Sequence, residues 1–502
     1  MEPLLLREPD DLTLAAFEEV VFARRTVTLD PGLLATLDRV RQRALDRLQG
    51  PGSVYGVNTG VGYLADVRLS EAEQAAHQHN LLLGRAVGGP PYLDPVEVRA
   101  LLLARLAGFV RGHAGVSAQL CQFLADRLND DFLPAIPRRG IGCAGEIIPN
   151  CHAFQTLMGV GFVLTEGGLR RDAAAALTER RVAAYEPGVK EGIALLNGAP
   201  GSLALAIVRH AAARTLADQL LVAAAGAIEA IRAPMSAYGE PVARLANDPH
   251  MGEVLERLRT LLRGADAMPG ATQAPVSFRV VPQVHAHLWR TLGRVKEDIN
   301  RALHASDDSP AFIDDAFLST GNFHAIGLAA GMDAMALALI QAGELAGQHI
   351  HRLLDKRFSG LPDQLTSKPG PNAGLIVVQK RVAGTIHELH RLALPASIGL
   401  VDTSLGQEDA MTFGYESADR LRQVETLVRE VVACALLTIH QAGALRGKAV
   451  AAGLSRTAEL LEETVRPVEE DRPLGGDIER LVSLLTQGAF AAGRPGGLTA
   501  PG

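Results

Sequence analysis

Two glycine-rich tracts carry the residue types best suited to chemistry. In Tyr55-Gly56-Val57-Asn58-Thr59-Gly60-Val61-Gly62 a phenol stands among glycines. Loops of this kind are usually solvent-facing, and a tyrosine with a lowered pKa there can take a proton from carbon or from an amine. A ring that merely packs the loop against a helix fits the same spacing. The second tract runs Arg138-Arg139-Gly140-Ile141-Gly142-Cys143-Ala144-Gly145-Glu146-Ile147-Ile148-Pro149-Asn150-Cys151-His152. Its glycines permit backbone shapes that other residues resist, and Pro149 interrupts regular pairing, so the stretch reads as a loop. Cys143 follows two arginines, surroundings that lower a thiol pKa and favour a nucleophile; an inert buried thiol is the commoner arrangement. Arg279 and Gln283, in Ser277-Phe278-Arg279-Val280-Val281-Pro282-Gln283, stand where a loop becomes a helix. Arg279 suits bidentate carboxylate binding or a surface salt bridge. Gly321-Asn322-Phe323-His324 and Gln407-Glu408-Asp409 set further polar groups at loop–helix junctions. Glu408 reads as an acid or base, or as a helix cap.

Other chemistries find less support. Gly56, Gly60 and Gly62 do not make a G-x-G-x-x-G behind a strand, and no phosphate loop ends in Gly-Lys-Ser/Thr. His349 and His351 lie two apart on a helix and point apart, while His387 and His390 lack a third ligand. No metal is expected.

The elements that position these residues are helices. Aromatic residues are only 4% of a 502-residue chain that is 47% hydrophobic, so the core is Leu/Ala/Val packing. Asp30-Pro31 opens a helix with a capping carboxylate and a proline in the first turn. Leu33, Leu34, Leu37, Val40, Ala44, Leu45 and Leu48 line one face of it, and Gly50-Pro51 ends it. Helical patterns recur from Ser70, over 95–111, 201–233, 282–305, 325–355, 373–392 and 417–446, with a loop over 268–277 and a Gly/Pro-rich end from Gly493. Net charge of −7 argues against nucleic-acid or membrane-surface partners. Four cysteines make no disulfide framework, Leu4-Leu5-Leu6 is too short for a signal segment, and charges interrupt the later apolar stretches. A cytoplasmic protein acting on a small molecule, with no nucleic-acid or membrane partner, is expected.

Taken together, the motifs resemble the aromatic amino-acid lyase and 2,3-aminomutase family, which includes histidine, phenylalanine and tyrosine ammonia-lyases. The resemblance rests on Tyr55 to Gly60, Asn80-Leu81-Leu82-Leu83, Lys190-Glu191-Gly192-Ile193-Ala194-Leu195-Leu196-Asn197-Gly198 and Ser277-Phe278-Arg279 with Pro282-Gln283. Gly321-Asn322-Phe323-His324-Ala325, Ser359-Gly360-Leu361-Pro362, Pro395-Ala396-Ser397 and Gln407-Glu408-Asp409 complete the ordered set. It implies a mainly α, histidine ammonia-lyase-like long helical bundle with a loop-rich N-terminal active-site domain, here 1–200, followed by the bundle and C-terminal helices, 201–502. It also implies a homotetramer with shared active sites. Tyr55 would be the base, Arg279 the carboxylate clamp and Asn197 a neighbour of the electrophile. Asn322, Phe323, Gln283 and Glu408 would complete the substrate and amine side.

The resemblance further implies an internal Ala-Ser-Gly triad that cyclises and loses two waters to form a methylidene-imidazolone. Here that position reads Cys143-Ala144-Gly145. Alanine has no β-hydroxyl to eliminate, so no exocyclic methylene is expected and no cofactor with it. Val276 stands where the family has tyrosine before Ser-Leu-Arg, and Arg85 stands at the selectivity histidine, where a cation suits an anionic or strongly polar ligand end. Three functions follow. One is an enzyme using Tyr55-based proton transfer for an elimination, isomerisation, addition or cyclisation. Another is a conventional ammonia-lyase or aminomutase inactivated at 144. The third is a non-catalytic ligand-binding pseudo-enzyme.

Overall fold

The computed structural model describes residues 1–165, 167–268, 271–447 and 450–491. Long helices dominate it, as the apolar periodicity predicts. The Pro31–Leu48 helix is capped by the Asp30 side chain, which accepts from Gly32 N–H at 2.7 Å. Its buried face is narrower than the sequence stripe and consists of Leu33, Leu37 and Ala44. Ser70 and Glu73 form a reciprocal capping box at the head of Glu71–Leu83, and Asp94 with Glu97 does the same for Pro95–Val110. The Pro200–Ala230 helix is apolar all round because it is buried on nearly every side, which is the composition such a helix requires.

Three expectations are corrected. The stretch read as a loop to His152 turns helical at Ile147 and runs to Phe154. Pro149 is tolerated because a first-turn N–H has no intrahelical partner to lose. The loop over 268–277 also ends early, at the short Val276–Arg279 helix, and residues 269–270 and the end from Gly493 lie outside the described residues. Finally, charges do not interrupt every apolar stretch. Glu191–Ala230, Ile326–Leu353 and Gly414–Arg446 are long and apolar enough to cross a membrane by length and composition, and the most apolar window of each is 94%, 67% and 61% buried within the protein. Periodicity alone also gave no warning of the Leu14–Phe22, Ala118–Asn129, Pro249–Leu261, Ser455–Thr464 and Gly475–Thr486 helices.

Two compact units divide the chain. The first takes 1–209, 295–332 and 396–419; the second takes 210–294, 333–395 and 420–502. In the first unit a two-stranded parallel pair, Leu4–Leu6 with Val27–Leu29, sets Leu4 opposite Val27. Antiparallel pairs join Phe162–Leu164 to Arg170–Asp172 and Ala311–Ile313 to Ala316–Leu318. Helices there approach closely at glycines: a Cβ on Gly192 of Glu191–Leu196 would fall 2.2 Å from the Gln78 carbonyl oxygen of Glu71–Leu83. The second unit uses the same device. A Cβ on Gly226 would lie 3.1 Å from Ile439 Cγ2, which brings Pro200–Ala230 against Gly414–Arg446.

Candidate active site

The Tyr55 loop is tied down by its own side chains. Asn58 Oδ1 accepts from Val54 N–H at 2.7 Å, Asn58 Nδ2 donates to the Gly52 carbonyl at 2.9 Å, and Thr59 Oγ1 accepts from Gly56 N–H at 3.3 Å. Gly62 sits at φ +60°, where a side chain is strained, and its N–H donates to Tyr55 Oη at 2.7 Å. A Cβ there would lie 2.8 Å from Ser404 Oγ and 3.9 Å from Glu408 Oε1. Ser404 Oγ in turn donates to Glu408 Oε1 at 3.3 Å. The 404–408 turn therefore packs on the Tyr55 loop, and the structure brings Tyr55 and Glu408 together.

Electrostatics at the phenol reverse one expectation. Burial raises the Tyr55 pKa above its ordinary value, and the Glu408 charge adds to the rise. The Gly62 N–H and the Arg85 charge act against them without prevailing. A lowered pKa was expected of a solvent-facing loop; the loop is largely buried, so the resting group is a neutral phenol.

At the triad position Gly145 takes φ +89°, and a Cβ on it would lie 3.7 Å from Asn197 Oδ1, the Gly198 carbonyl oxygen and Phe323 Cδ2. Asn197 and Phe323 are thus neighbours of this loop. Asn197 Nδ2 donates to the Ser309 carbonyl at 2.6 Å, and its own carbonyl accepts from Arg105 and from Asn150 Nδ2. Asn322 spends its side-chain amide on the Ser306 carbonyl at 3.2 Å and lines a cavity of about 410 Å³ with Asp307 and His324. Ala144 is half-buried and presents only a methyl group.

Cys143 is not an activated thiol. Burial pushes its pKa up to about 11, although the N–H groups of Ile148 and Ile147 draw it down. The carboxylates of Glu146 and Glu408 add to the rise. The two arginines before it serve carboxylates instead. Arg138 pairs with Glu97 and Asp94, and Arg139 lies 3.0 Å from Asp419.

Two groups beside the loop were not anticipated. Glu146 is 4% exposed and accepts from Gly201 N–H and Ser202 N–H, each at 2.6 Å, at the head of Pro200–Ala230. Burial nevertheless pushes its pKa up to about 7. Tyr415 is buried nearby with no hydrogen-bond partner for Oη among the described residues, and a Cβ on Gly201 would fall 2.0 Å from that oxygen. In the sequence nothing singles out Glu146 within its loop, and nothing announces Tyr415.

Arg279 and Gln283 belong to the second unit. Arg279 Nε donates to the Ala274 carbonyl at 3.1 Å, and the adjoining Phe278 carbonyl accepts from Tyr238 Oη at 3.0 Å. Gln283 lines a surface groove with His287, Glu344 and His390. Among the described residues no group of three His, Cys, Asp or Glu is placed to hold a metal ion.

Residues 12–467 match the aromatic amino acid lyase family. The chain belongs to that family. It is 33% identical to histidine ammonia-lyase of Bacillus subtilis, covering 90% of this chain and 91% of that one. It is 32% identical to histidine ammonia-lyase of Symbiobacterium thermophilum, covering 96% of both. Among solved structures, tyrosine aminomutase from Streptomyces globisporus superposes with a TM-score of 0.91 at 27% identity, covering 97% of each chain. Ergothionase, an ergothioneine-degrading enzyme from Treponema denticola, superposes with a TM-score of 0.93 at 24% identity, covering 97% of this chain and 99% of that one. The mainly helical, histidine ammonia-lyase-like fold expected from the motifs is the fold observed, and a lyase-family chain is what carries the Tyr55–Glu408 cluster.

Proposed function

We propose that this chain is an enzyme that eliminates a leaving group from a carboxylate-bearing, amino-acid-derived small molecule, with Tyr55 moving the proton and without a methylidene-imidazolone. The observations that carry this reading are Ala144 at the triad position and the cluster of Tyr55, Gly62 and Glu408, whose carboxylate charge also acts on the neighbouring Cys143. The residues at 143–145 do not fit the prosthetic group, because a methyl side chain has no hydroxyl to lose. The substrate must then bring its own leaving group. A permanently cationic nitrogen is one, since it departs as a neutral amine without prior activation.

Such a nitrogen also removes part of the rise in the phenol pKa. Burial is the largest cause of that rise, and Glu408 adds to it. A cationic group paired with Glu408 would cancel its charge, leaving burial alone to oppose the phenolate and the Gly62 N–H and Arg85 to favour it. Tyr55 then takes the proton on the carbon adjacent to the one bearing nitrogen. The C–H electron pair becomes the new C=C bond, and the C–N pair leaves with the amine. Arg279 is proposed as the carboxylate clamp, supplied within a homotetramer whose copies share active sites, acting in the cytoplasm.

Thermal-shift screening of amino-acid betaines, followed by product analysis, identifies the substrate. Tyr55→Phe should keep the helical fold and lose turnover by about a hundredfold or more; undiminished turnover would remove Tyr55 from the reaction. The identity to histidine ammonia-lyases favours one other reading, a conventional deaminase inactivated at 144. Deamination gained by Ala144→Ser, with an intact mass two waters below that variant's sequence mass, would favour it over ours.

A further inference from the structure

The second unit contains a cavity that shares no residue with the Tyr55 cluster. It measures about 400 Å³ and lies where the last turns of Pro200–Ala230 and Gly414–Arg446 meet the Ser455–Thr464 helix. That volume is within the range of small-molecule sites. Missing side chains make the room. The two long helices touch at Gly226 and Ile439, and one turn further on Gly443 lines the cavity, where a Cβ would meet nothing within 4 Å. The same holds at Gly447, whose φ of +60° ends the helix. The walls are apolar, with Leu436, Leu454 and Leu461 all buried against it.

The polar part of the lining is negative. Glu229 and Glu462 belong to it, and Arg446 is the only cation among the described residues that do. Arg446 is committed elsewhere: its Nη2 donates to the Ala230 carbonyl at 2.6 Å and to the Ser359 carbonyl at 3.0 Å, which closes off the end of Pro200–Ala230. Glu229 is half-buried. Its Oε1 accepts from Ala451 N–H, and its Oε2 has no hydrogen bond among the described residues. Burial pushes the Glu229 pKa up, and the Ala451 N–H and the Arg446 charge act against the rise without prevailing. His440 adds no charge, because burial lowers its pKa against the pull of Val465 and Glu462. Both long helices end here, presenting the negative ends of their dipoles. A carboxylate desolvated beside apolar walls is best matched by a cation that carries an apolar body.

We propose that this cavity binds a small alkylammonium ion, with the ammonium on Glu229 and the carbon chain against Leu436, Leu454 and Leu461. An ammonium N–H on a carboxylate makes a charge-assisted hydrogen bond, stronger than a neutral one. A bare metal ion would leave the apolar walls wet, and among the described residues no group of three metal-binding side chains surrounds it. A neutral apolar molecule would fill the space and leave Glu229 unmatched. A molecule bearing its own carboxylate would be repelled by Glu229 and Glu462, so the ligand is not of the class assigned to the Tyr55 cluster. The site stands independently of that assignment.

Calorimetry on the full chain near neutral pH tests this with hexylammonium, against hexanoate and hexanol. The wild type should bind hexylammonium saturably, hexanol about tenfold more weakly and hexanoate not at all. Glu229→Gln should weaken hexylammonium binding by about tenfold and leave hexanol binding unchanged. Gly443→Leu, which puts a side chain into the open space and favours the helix, should abolish binding of both. Glu408→Gln should bind hexylammonium as the wild type does, which separates this site from the cation pairing proposed beside Tyr55. The site is overturned, and the role of Tyr55 left standing, by any of three results: no saturable binding in the wild type, hexanoate binding as tightly as hexylammonium, or unchanged hexylammonium affinity in a folded Glu229→Gln or Gly443→Leu. Loss of hexylammonium binding in Glu408→Gln would also overturn it, by assigning the ammonium to the Tyr55 cluster.

Discussion

The Gly62 amide donates to the Tyr55 phenol oxygen at 2.7 Å, and Gly62 takes a backbone shape that other residues rarely adopt. The donor is thus part of the loop's own fold. It stays in place whichever protonation state the phenol holds, and it stabilises the charged one.

Replacing Gly62 by alanine should therefore cost activity more than stability. The new Cβ would meet Ser404 Oγ at 2.8 Å, a contact relieved by moving the hydroxyl or the 404–408 turn. The strained φ adds roughly 1 kcal/mol. We expect a folded protein whose turnover falls at least tenfold, with the phenol titrating at higher pH. Tyrosinate absorbance, taken as the difference from Tyr55→Phe, measures the latter.

Glu408→Gln removes the carboxylate that opposes the phenolate. Losing a negative neighbour lowers the pKa of an acid, so the tyrosinate transition should move to lower pH in the free protein. Turnover of a cationic substrate should nevertheless fall, because the pairing group is gone. An unmoved transition would show that Glu408 does not act on Tyr55.

Cys143 should resist alkylation. With its pKa pushed up to about 11 by burial, little thiolate exists at pH 7.5. Peptide mapping after iodoacetamide treatment of the folded protein should find it unmodified, and labelled only after denaturation. Rapid labelling with loss of turnover would return the thiol to candidacy as a nucleophile.

Glu146 should leave a mark on stability. Its folded pKa, pushed up to about 7, exceeds the unfolded value of 4.5, so the folded state binds the extra proton between those limits. Stability from this group is fully present below pH 4.5 and is lost as pH rises through 7, by something on the order of 3 kcal/mol. Chemical denaturation across this range should show the decline in wild type. In Glu146→Ala the decline should be missing, on a lower absolute stability, because two N–H groups of Pro200–Ala230 lose their acceptor.

Much of the scaffold can be read from residue patterns because caps and periodicity are local. Asp30-Pro31, Ser70 with Glu73, and Asp94 with Glu97 each announce a helix within four residues of chain. Ile147–Phe154 is harder to read, since a proline in the first turn looks like one that forbids a helix. The ordered motifs point to the loops that hold Tyr55, Gly145, Asn197 and Glu408. What they leave out is burial, and burial decides protonation. The expected lowering at Tyr55 and Cys143 becomes a rise, because the Tyr55 loop is covered and Arg138 and Arg139 are committed elsewhere. Tyr415 comes beside Glu146 only through tertiary packing, so no spacing betrays it.

Tyr55 lies near the front of the chain and the turn of Ser404 and Glu408 near its back, yet both belong to one compact unit assembled from three separated stretches. During synthesis the phenol therefore spends most of elongation without its carboxylate neighbour. The cluster of Tyr55, Ser404 and Glu408 can assemble only once residue 408 has emerged, so a chain released earlier keeps the Tyr55 loop without the turn that packs on it.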